Sequence, residues 1–197
     1  MKCFLFIAFL FSSFSFAQEY TFDTEIQYEY SYFSKNIIIW SNSQNRDYIF
    51  RAGGHFNKDE GSIIDFKNQT IHYLRISSSK KKPIKYLYST SIKGFQDNRS
   101  FKIKEIGSID NDRVVEITFY NDASKKRIFY TTTLTLKKHD TNLFPAFRVA
   151  CLHPHESLLT LDFKENYIVT KAKSVGNDIR TCALISSVPV NISITVK

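Results

Sequence analysis

Hydrophobic and polar residues alternate strictly over residues 20–32. Every second position there is aromatic, aliphatic or threonine, and the positions between are acidic or otherwise polar. A period of two places successive side chains on opposite faces of an extended chain, whereas a helix would scatter these rings around its axis. The pattern therefore predicts a strand with one aromatic face and one acidic, solvated face.

Short runs rich in Ile, Val, Tyr, Phe and Thr recur along the rest of the chain, and these residue types are enriched in strands. Several linking segments, at 67–69, 121–126 and 164–166, contain Asn or Asp, which tolerate the left-handed backbone of tight turns. At most one or two short helices are expected, with the segment near 173–180 as the candidate. Further strands are predicted at 36–41, 47–52, 62–66, 70–77, 84–90, 100–106, 113–120, 128–137, 146–152, 157–163, 167–172 and 188–196.

A chain of hairpins must hide its strand edges and apolar faces by curling, closing or pairing sheets. We therefore predict an all-β fold, an antiparallel meander curled into a half-barrel or barrel-like sheet with few or short helices; a sandwich is the alternative. An outer-membrane barrel shares the period of two. We do not expect one, because the polar faces carry many charges and the apolar faces contain polar interruptions.

Residues 1–17 have one Lys, an apolar core and a Ser-rich end that finishes at Ala17. This is the composition of a secretory signal peptide. A transmembrane anchor would need about 20 apolar residues, and the apolar core has about half that number. We predict a signal peptide at 1–17 with cleavage near Ala17, a single all-β domain at 18–197, and a secreted or periplasmic protein.

The expected leader contains one of the 27 basic residues and no acidic residue, so the rest carries 26 basic and 19 acidic residues, a formal charge of +7. The strongest basic patch comprises Arg75, Lys80, Lys81, Lys82 and Lys85. Such a patch could contact an anionic envelope surface, or it could be a solvated loop that guards a strand edge. Nucleic acid is not an expected partner, because no nucleic-acid-binding motif is present.

Two cysteines remain after the leader, Cys151 and Cys182. An even number of cysteines in an exported chain indicates a disulfide. We expect this bond to tie the predicted strand at 146–152 to the segment before the last strand, with the two Cα atoms about 4.4–6.8 Å apart.

A metal site competes with this disulfide. On an extended chain Cys151, His153 and His155 would share a face, and His139 or Asp140 could add a ligand. A cysteine in a disulfide cannot also be a thiolate ligand, so we favour the disulfide and expect the histidines to be solvated. We therefore predict no metal and no cofactor.

The chain contains neither a G-x-S-x-G nor an H-E-x-x-H motif of hydrolytic enzymes. Paired acidic residues occur beside predicted turns, where exposed carboxylates are ordinary. We predict no catalytic residue.

The aromatic face could line a cavity that is apolar inside and polar at its mouth, or its rings could simply form the core. The candidate ligand-binding residues are Tyr20, Phe22, Tyr28, Tyr30, Tyr32 and Trp40.

The Phe-rich leader and phrases such as IIDFKNQTIHYLRIS resemble small secreted proteins of Gram-negative bacteria. The hairpin series over residues 20–137 also resembles the unclosed β-barrel of periplasmic lipoprotein carriers. That resemblance implies an aromatic-lined cavity for acyl chains. We therefore expect an exported, non-enzymatic protein that binds a lipid or another apolar ligand; the alternatives are an envelope interaction module that uses the basic loop and, less favoured, a hydrolase.

Overall fold

The computed structural model describes residues 17–33, 36–54, 59–76, 84–92, 99–152 and 160–197. Over these residues the chain forms eleven strands and one helix. The elements are β1 (Gln18–Tyr30), β2 (Ile37–Ser41), β3 (Tyr48–Gly53), β4 (Glu60–Asp65), β5 (Thr70–Ile76), β6 (Ile84–Ser91), β7 (Ser100–Ile109), β8 (Asp112–Tyr120), β9 (Ile128–Lys138), α1 (Phe144–Cys151), β10 (Tyr167–Val175) and β11 (Ile179–Val196).

All the described strands belong to one antiparallel sheet in the order β6-β5-β4-β3-β2-β1-β11-β10-β9-β8-β7. The first and last strands pair with each other, so two meanders extend from the β1–β11 pair in opposite directions. β6 and β7 form the two edges and do not pair, so the sheet curls without closing into a barrel. The predicted all-β fold with a curled antiparallel meander is confirmed.

The sheet encloses two hydrophobic clusters. The first lies between α1 and the inner faces of β1, β2 and β8–β10, and it contains Tyr28, Phe119 and Phe147. The second lies inside the curl of β1–β6 and the end of β11, and it contains Phe22 and Phe50. Burying an aromatic side chain of this size contributes about 1.5–3 kcal/mol, so these rings supply much of the force that curls the sheet.

The predicted strand at 146–152 is wrong, because residues 144–151 form the helix α1. Pro145 occupies its first turn, where a missing N–H costs nothing. Every helical residue except Arg148 is buried. A continuous apolar run has the same appearance in a buried helix and in a buried strand, so periodicity could not separate the two.

Two further expectations need correction. Residues 160–163 are not a strand, while 157–159 lie outside the described residues. The segment near 173–180 is not a helix but the tight turn between β10 and β11, and the last strand therefore begins at Ile179 instead of residue 188. The β-branched residues of β11 favour an extended conformation, and pairing with β1 along most of the length of β11 stabilises it.

Among the described residues, no helix has the length and apolar character needed to cross a bilayer. Residues 1–16 lie outside the described part, so the signal peptide and the cleavage near Ala17 remain predictions.

Candidate functional site

The aromatic face of β1 is divided between the two hydrophobic clusters. Tyr20 and Phe22 are buried in the second cluster, whereas Tyr28 and Tyr30 are buried in the first. The hydroxyl of Tyr28 donates to the Val169 carbonyl at 3.2 Å, and burial raises the pKa of this phenol. Most of the predicted ligand-binding rings thus also serve as core residues.

The other two predicted ligand-binding residues, Trp40 and Tyr32, are more exposed to solvent than these four. Trp40 is half-buried, stacks on Phe50 with ring centroids 4.1 Å apart, and donates its indole N–H to Glu25 at 2.8 Å. Tyr32 is 55% exposed, beyond the end of β1, and the Arg180 guanidinium lies 4.7 Å from its ring centroid.

A cavity of about 210 Å³ opens beside Tyr30, between the start of β9, the β10–β11 turn and the end of α1. One side is aromatic and the other side is polar. The lining residues are Tyr30, Phe129, Tyr130, Cys151, Ser174, Gly176, Asn177, Asp178 and Arg180.

Packing behind the cavity holds its aromatic wall in place. Tyr130 stacks on the buried Phe119 with ring centroids 4.7 Å apart. A Cβ atom on Gly176 would lie 2.9 Å from the Cβ of Tyr130, so the close approach of the turn to this wall requires glycine. The wall is therefore preformed by the β9–β10 pairing.

Arg180 supplies the positive charge at the rim. Its guanidinium lies 3.5 Å from the Asp178 carboxylate. Burial lowers the pKa of Arg180, but hydrogen bonds with Tyr30 and Asp178 raise it by more. The guanidinium is thus a fixed cation with one face on an aromatic ring.

The predicted disulfide is confirmed. Cys151 and Cys182 are bonded, and their Cα atoms are 6.5 Å apart. We expected it to tie a strand at 146–152 to the segment before the last strand. It joins the end of the helix α1 to the last strand, β11, itself. Cys151 lines the cavity and Cys182 pairs with another lining residue, Tyr30, so the disulfide lies at the cavity wall.

The alternative metal site has lost its thiolate, because Cys151 is in the disulfide. His153 and His155 lie outside the described residues. Within the described part of the chain, no group of three His, Cys, Asp or Glu side chains is placed to hold a metal ion.

The predicted basic patch is described only in part. Arg75 on β5 and Lys85 on β6 are exposed and directly opposite each other in the register. Lys80, Lys81 and Lys82 lie outside the described residues.

A chain of hydrogen bonds that the sequence reasoning missed crosses the inside of the β1–β6 curl. Tyr86 Oη lies 2.8 Å from Ser89 Oγ, and Ser89 Oγ lies 2.7 Å from His72 Nδ1. His72 Nε2 lies 2.8 Å from Tyr20 Oη, which donates to Asp65 Oδ2 at 2.8 Å. Five side chains from four strands thus form one continuous path from a buried carboxylate to the sheet edge.

Asp65 ends this chain as a pure acceptor. Besides Tyr20, it receives hydrogen bonds from the Gln18 side chain and from the backbone and side chain of Asn68. Burial alone would raise the pKa of Asp65, but these donors lower it below its usual value. Burial also lowers the pKa of His72, with the Asp65 charge opposing that shift, so the imidazole is neutral at pH 7.

The alternation of inward and outward positions along β4 and β5 gave a partial indication of this hydrogen-bond network. His72 and Asp65 occupy inward positions among apolar neighbours, where a polar side chain needs a partner. Asn68, three residues from Asp65, is a local partner. The others could not be identified, because Ser89 and Tyr20 lie 17 and 52 residues from His72 along the sequence.

No protein-family model and no curated protein matches this chain.

Proposed function

We propose that this protein is exported and binds a small amphipathic ligand in the cavity that Tyr30 and Arg180 line. The cavity itself is the observation that carries the proposal, because it combines an aromatic wall with polar groups and a fixed cation at one opening. Ligand sites are typically apolar clefts with a few converging polar groups.

The volume limits the ligand. A cavity of about 150 Å³ holds a benzene molecule. The cavity here, at about 210 Å³, suits one ring or a short acyl segment and is too small for the full chain of a lipid. Arg180 favours a carboxylate or a similar anionic group at the end of that apolar body.

Export is supported by the disulfide, because such bonds persist in oxidising compartments. A secreted preparation should begin near Gln18, which N-terminal sequencing would establish. A mature protein that retains residues 1–17 would contradict this part of the proposal.

Calorimetric titration with benzoate and with neutral benzamide tests the binding site. R180Q should weaken benzoate binding at least tenfold, about 1.4 kcal/mol, and leave benzamide binding nearly unchanged. The control is R113Q, since Arg113 also lies near aromatic rings and pairs with an acid, Glu105, but does not line the cavity. Equal losses in both variants, or no benzoate binding at all, would refute the proposal.

An envelope interaction module is the second candidate. Arg75 lies opposite Glu60 of β4 on one side and opposite Lys85 of β6 on the other, and an anion beside Lys85 would relieve the repulsion between the two cations. The double variant R75E/K85E should then release the protein from phosphatidylglycerol vesicles. The matched control is K102E/K104E, which changes two exposed lysines on the opposite edge strand. Equal release in both variants would indicate a general charge effect and remove this candidate.

A further inference from the structure

We propose that Ser89 is the nucleophile of a second site, with His72 as its general base, which cleaves small carboxylic esters at the open edge of β6. The site lies in the β1–β6 curl, whereas the cavity of the proposed ligand lies beside β9 and the β10–β11 turn. The two proposals are therefore independent.

The direction of the hydrogen bonds identifies the base. Since the Asp65 carboxylate only accepts, the Tyr20 hydroxyl donates to it and the Tyr20 oxygen accepts from His72 Nε2–H. The opposite nitrogen, Nδ1, then carries a lone pair and accepts the hydrogen bond from the Ser89 hydroxyl at 2.7 Å. This is the arrangement of a nucleophile, a base and a group that orients the base.

The burial of the groups suits those roles. Asp65 and His72 are only 2% and 7% exposed, so the base is held rigidly and is shielded from water. Ser89 is exposed on an edge strand, so a substrate can reach its hydroxyl. Solvent exposure thus increases from the buried Asp65 to the accessible Ser89, which a hydroxyl with a purely structural role would not need.

The register brings the serine close to its base. The hydrogen bond from the Ile92 N–H to the Gln69 carbonyl, at 2.8 Å, sets the alternation of pair types in this hairpin. Counting along the register from there, His72 and Ser89 are opposite residues with no backbone hydrogen bonds between them. In such pairs the side chains approach most closely. The backbone N–H of Ser89 then points away from β5, towards the open edge.

Two donors can meet the charge that develops on a substrate carbonyl oxygen. One is the Ser89 N–H at the edge, and the other is the Tyr86 hydroxyl, 2.8 Å from the nucleophilic oxygen. Hydrogen-bond donors aimed at a forming oxyanion lower the barrier to acyl transfer.

The reaction balances with water as the only co-reactant. Ser89 Oγ forms a bond to the ester carbonyl carbon while His72 Nδ1 takes the hydroxyl proton. When the carbon–alkoxide bond breaks, that proton leaves with the alcohol and an acyl-serine remains. Water then attacks the acyl carbon and gives a proton to His72, which returns it to Ser89 as the carboxylic acid departs. Tyr20 and Asp65 act as positioning residues that stabilise the imidazolium.

Acylation of the protein by p-nitrophenyl acetate tests the proposal. We expect a burst of p-nitrophenolate equal to the protein concentration, and an acetyl group on Ser89 in peptide mass spectrometry. S89A should abolish the burst, whereas S91A, which changes a serine on the same strand that lies opposite Thr70 instead of His72, should retain it. No burst in the wild type, or a burst that survives S89A, would overturn the proposal.

Variants of the buried residues test the roles of the base and its support. H72Q should slow acylation about 100-fold or more, as for other losses of a general base. Y20F removes the acceptor of Nε2–H, so the acid limb of the pH–rate profile should move to lower pH, which a purely structural effect would not cause. Thermal denaturation establishes that each variant is folded. If H72Q is unfolded, the exposed S89A variant decides the question, and an unchanged rate in folded H72Q would refute the assigned base.

Discussion

Removing the disulfide between Cys151 and Cys182 should lower the free energy of unfolding substantially. The bond fastens the end of α1, whose apolar residues fill the first hydrophobic cluster, to the longest strand of the sheet. An isolated helix of eight residues is not stable in water, so α1 depends on this attachment and on its packing.

The magnitude follows from the length of chain that the bond closes. The two cysteines are 31 residues apart. The chain-entropy relation for a loop of this length gives about 3.7 kcal/mol at 25 °C. For a chain of this size, each 1 kcal/mol corresponds to about 2–4 °C, so the melting temperature should fall by about 7–15 °C.

Urea denaturation of the C151A/C182A variant, compared with oxidised and reduced wild-type protein, measures this effect. Alanine avoids placing a hydroxyl at two buried positions. The reduced wild type separates the loss of the bond from the loss of sulfur packing. A difference below about 1 kcal/mol between oxidised and reduced wild type would refute the chain-entropy argument. Two free thiols in the unfolded, non-reduced protein would refute the disulfide itself.

Three further outcomes are expected. The pKa of His72 is lower in the folded protein than in the unfolded chain, so on acidification the unfolded chain takes up this proton at a higher pH. The free energy of unfolding should therefore fall as pH drops below about 6.5. The pKa of Asp65 is also lowered in the fold, and its contribution to stability is lost at still lower pH. Urea titrations between pH 4 and 8 would show the His72 effect, and H72Q should flatten that decline. G61A places a Cβ 2.7 Å from the Phe50 ring and should cost about 1–3 kcal/mol. F147A, which empties a fully buried site beside the sheet, should lower the free energy of unfolding by about 3–5 kcal/mol. A loss below about 1 kcal/mol in denaturation experiments, for G61A or for F147A, would contradict the packing described for that residue.

Local sequence patterns were sufficient to predict most of the strands and the pairing of consecutive strands into hairpins. The period of two over β1 depends only on neighbouring side chains pointing to opposite faces, and it survives unchanged in the fold. Turn chemistry was less decisive. Asp110 and Asn111 adopt positive φ angles of 51° and 70° between β7 and β8, as short polar side chains tolerate, but in the predicted links 67–69 and 121–126 the residues with positive φ are Gln69 and Lys125. The cysteine pair was determined once Cys3 was assigned to the predicted leader, because the two remaining cysteines allow only one intramolecular bond.

The tertiary structure decided what those local elements meet. Residues 144–151 are apolar enough for either a helix or a strand, and their packing inside the first cluster selects the helix. Tyr20 and Asp65 lie on β1 and β4, which are separated in the sheet by β2 and β3. Only the curl of the sheet brings the Tyr20 hydroxyl within 2.8 Å of that carboxylate. Alternation predicts that each side chain points inward, but which inward residues touch depends on the curvature of the whole sheet, which the burial of both hydrophobic clusters sets.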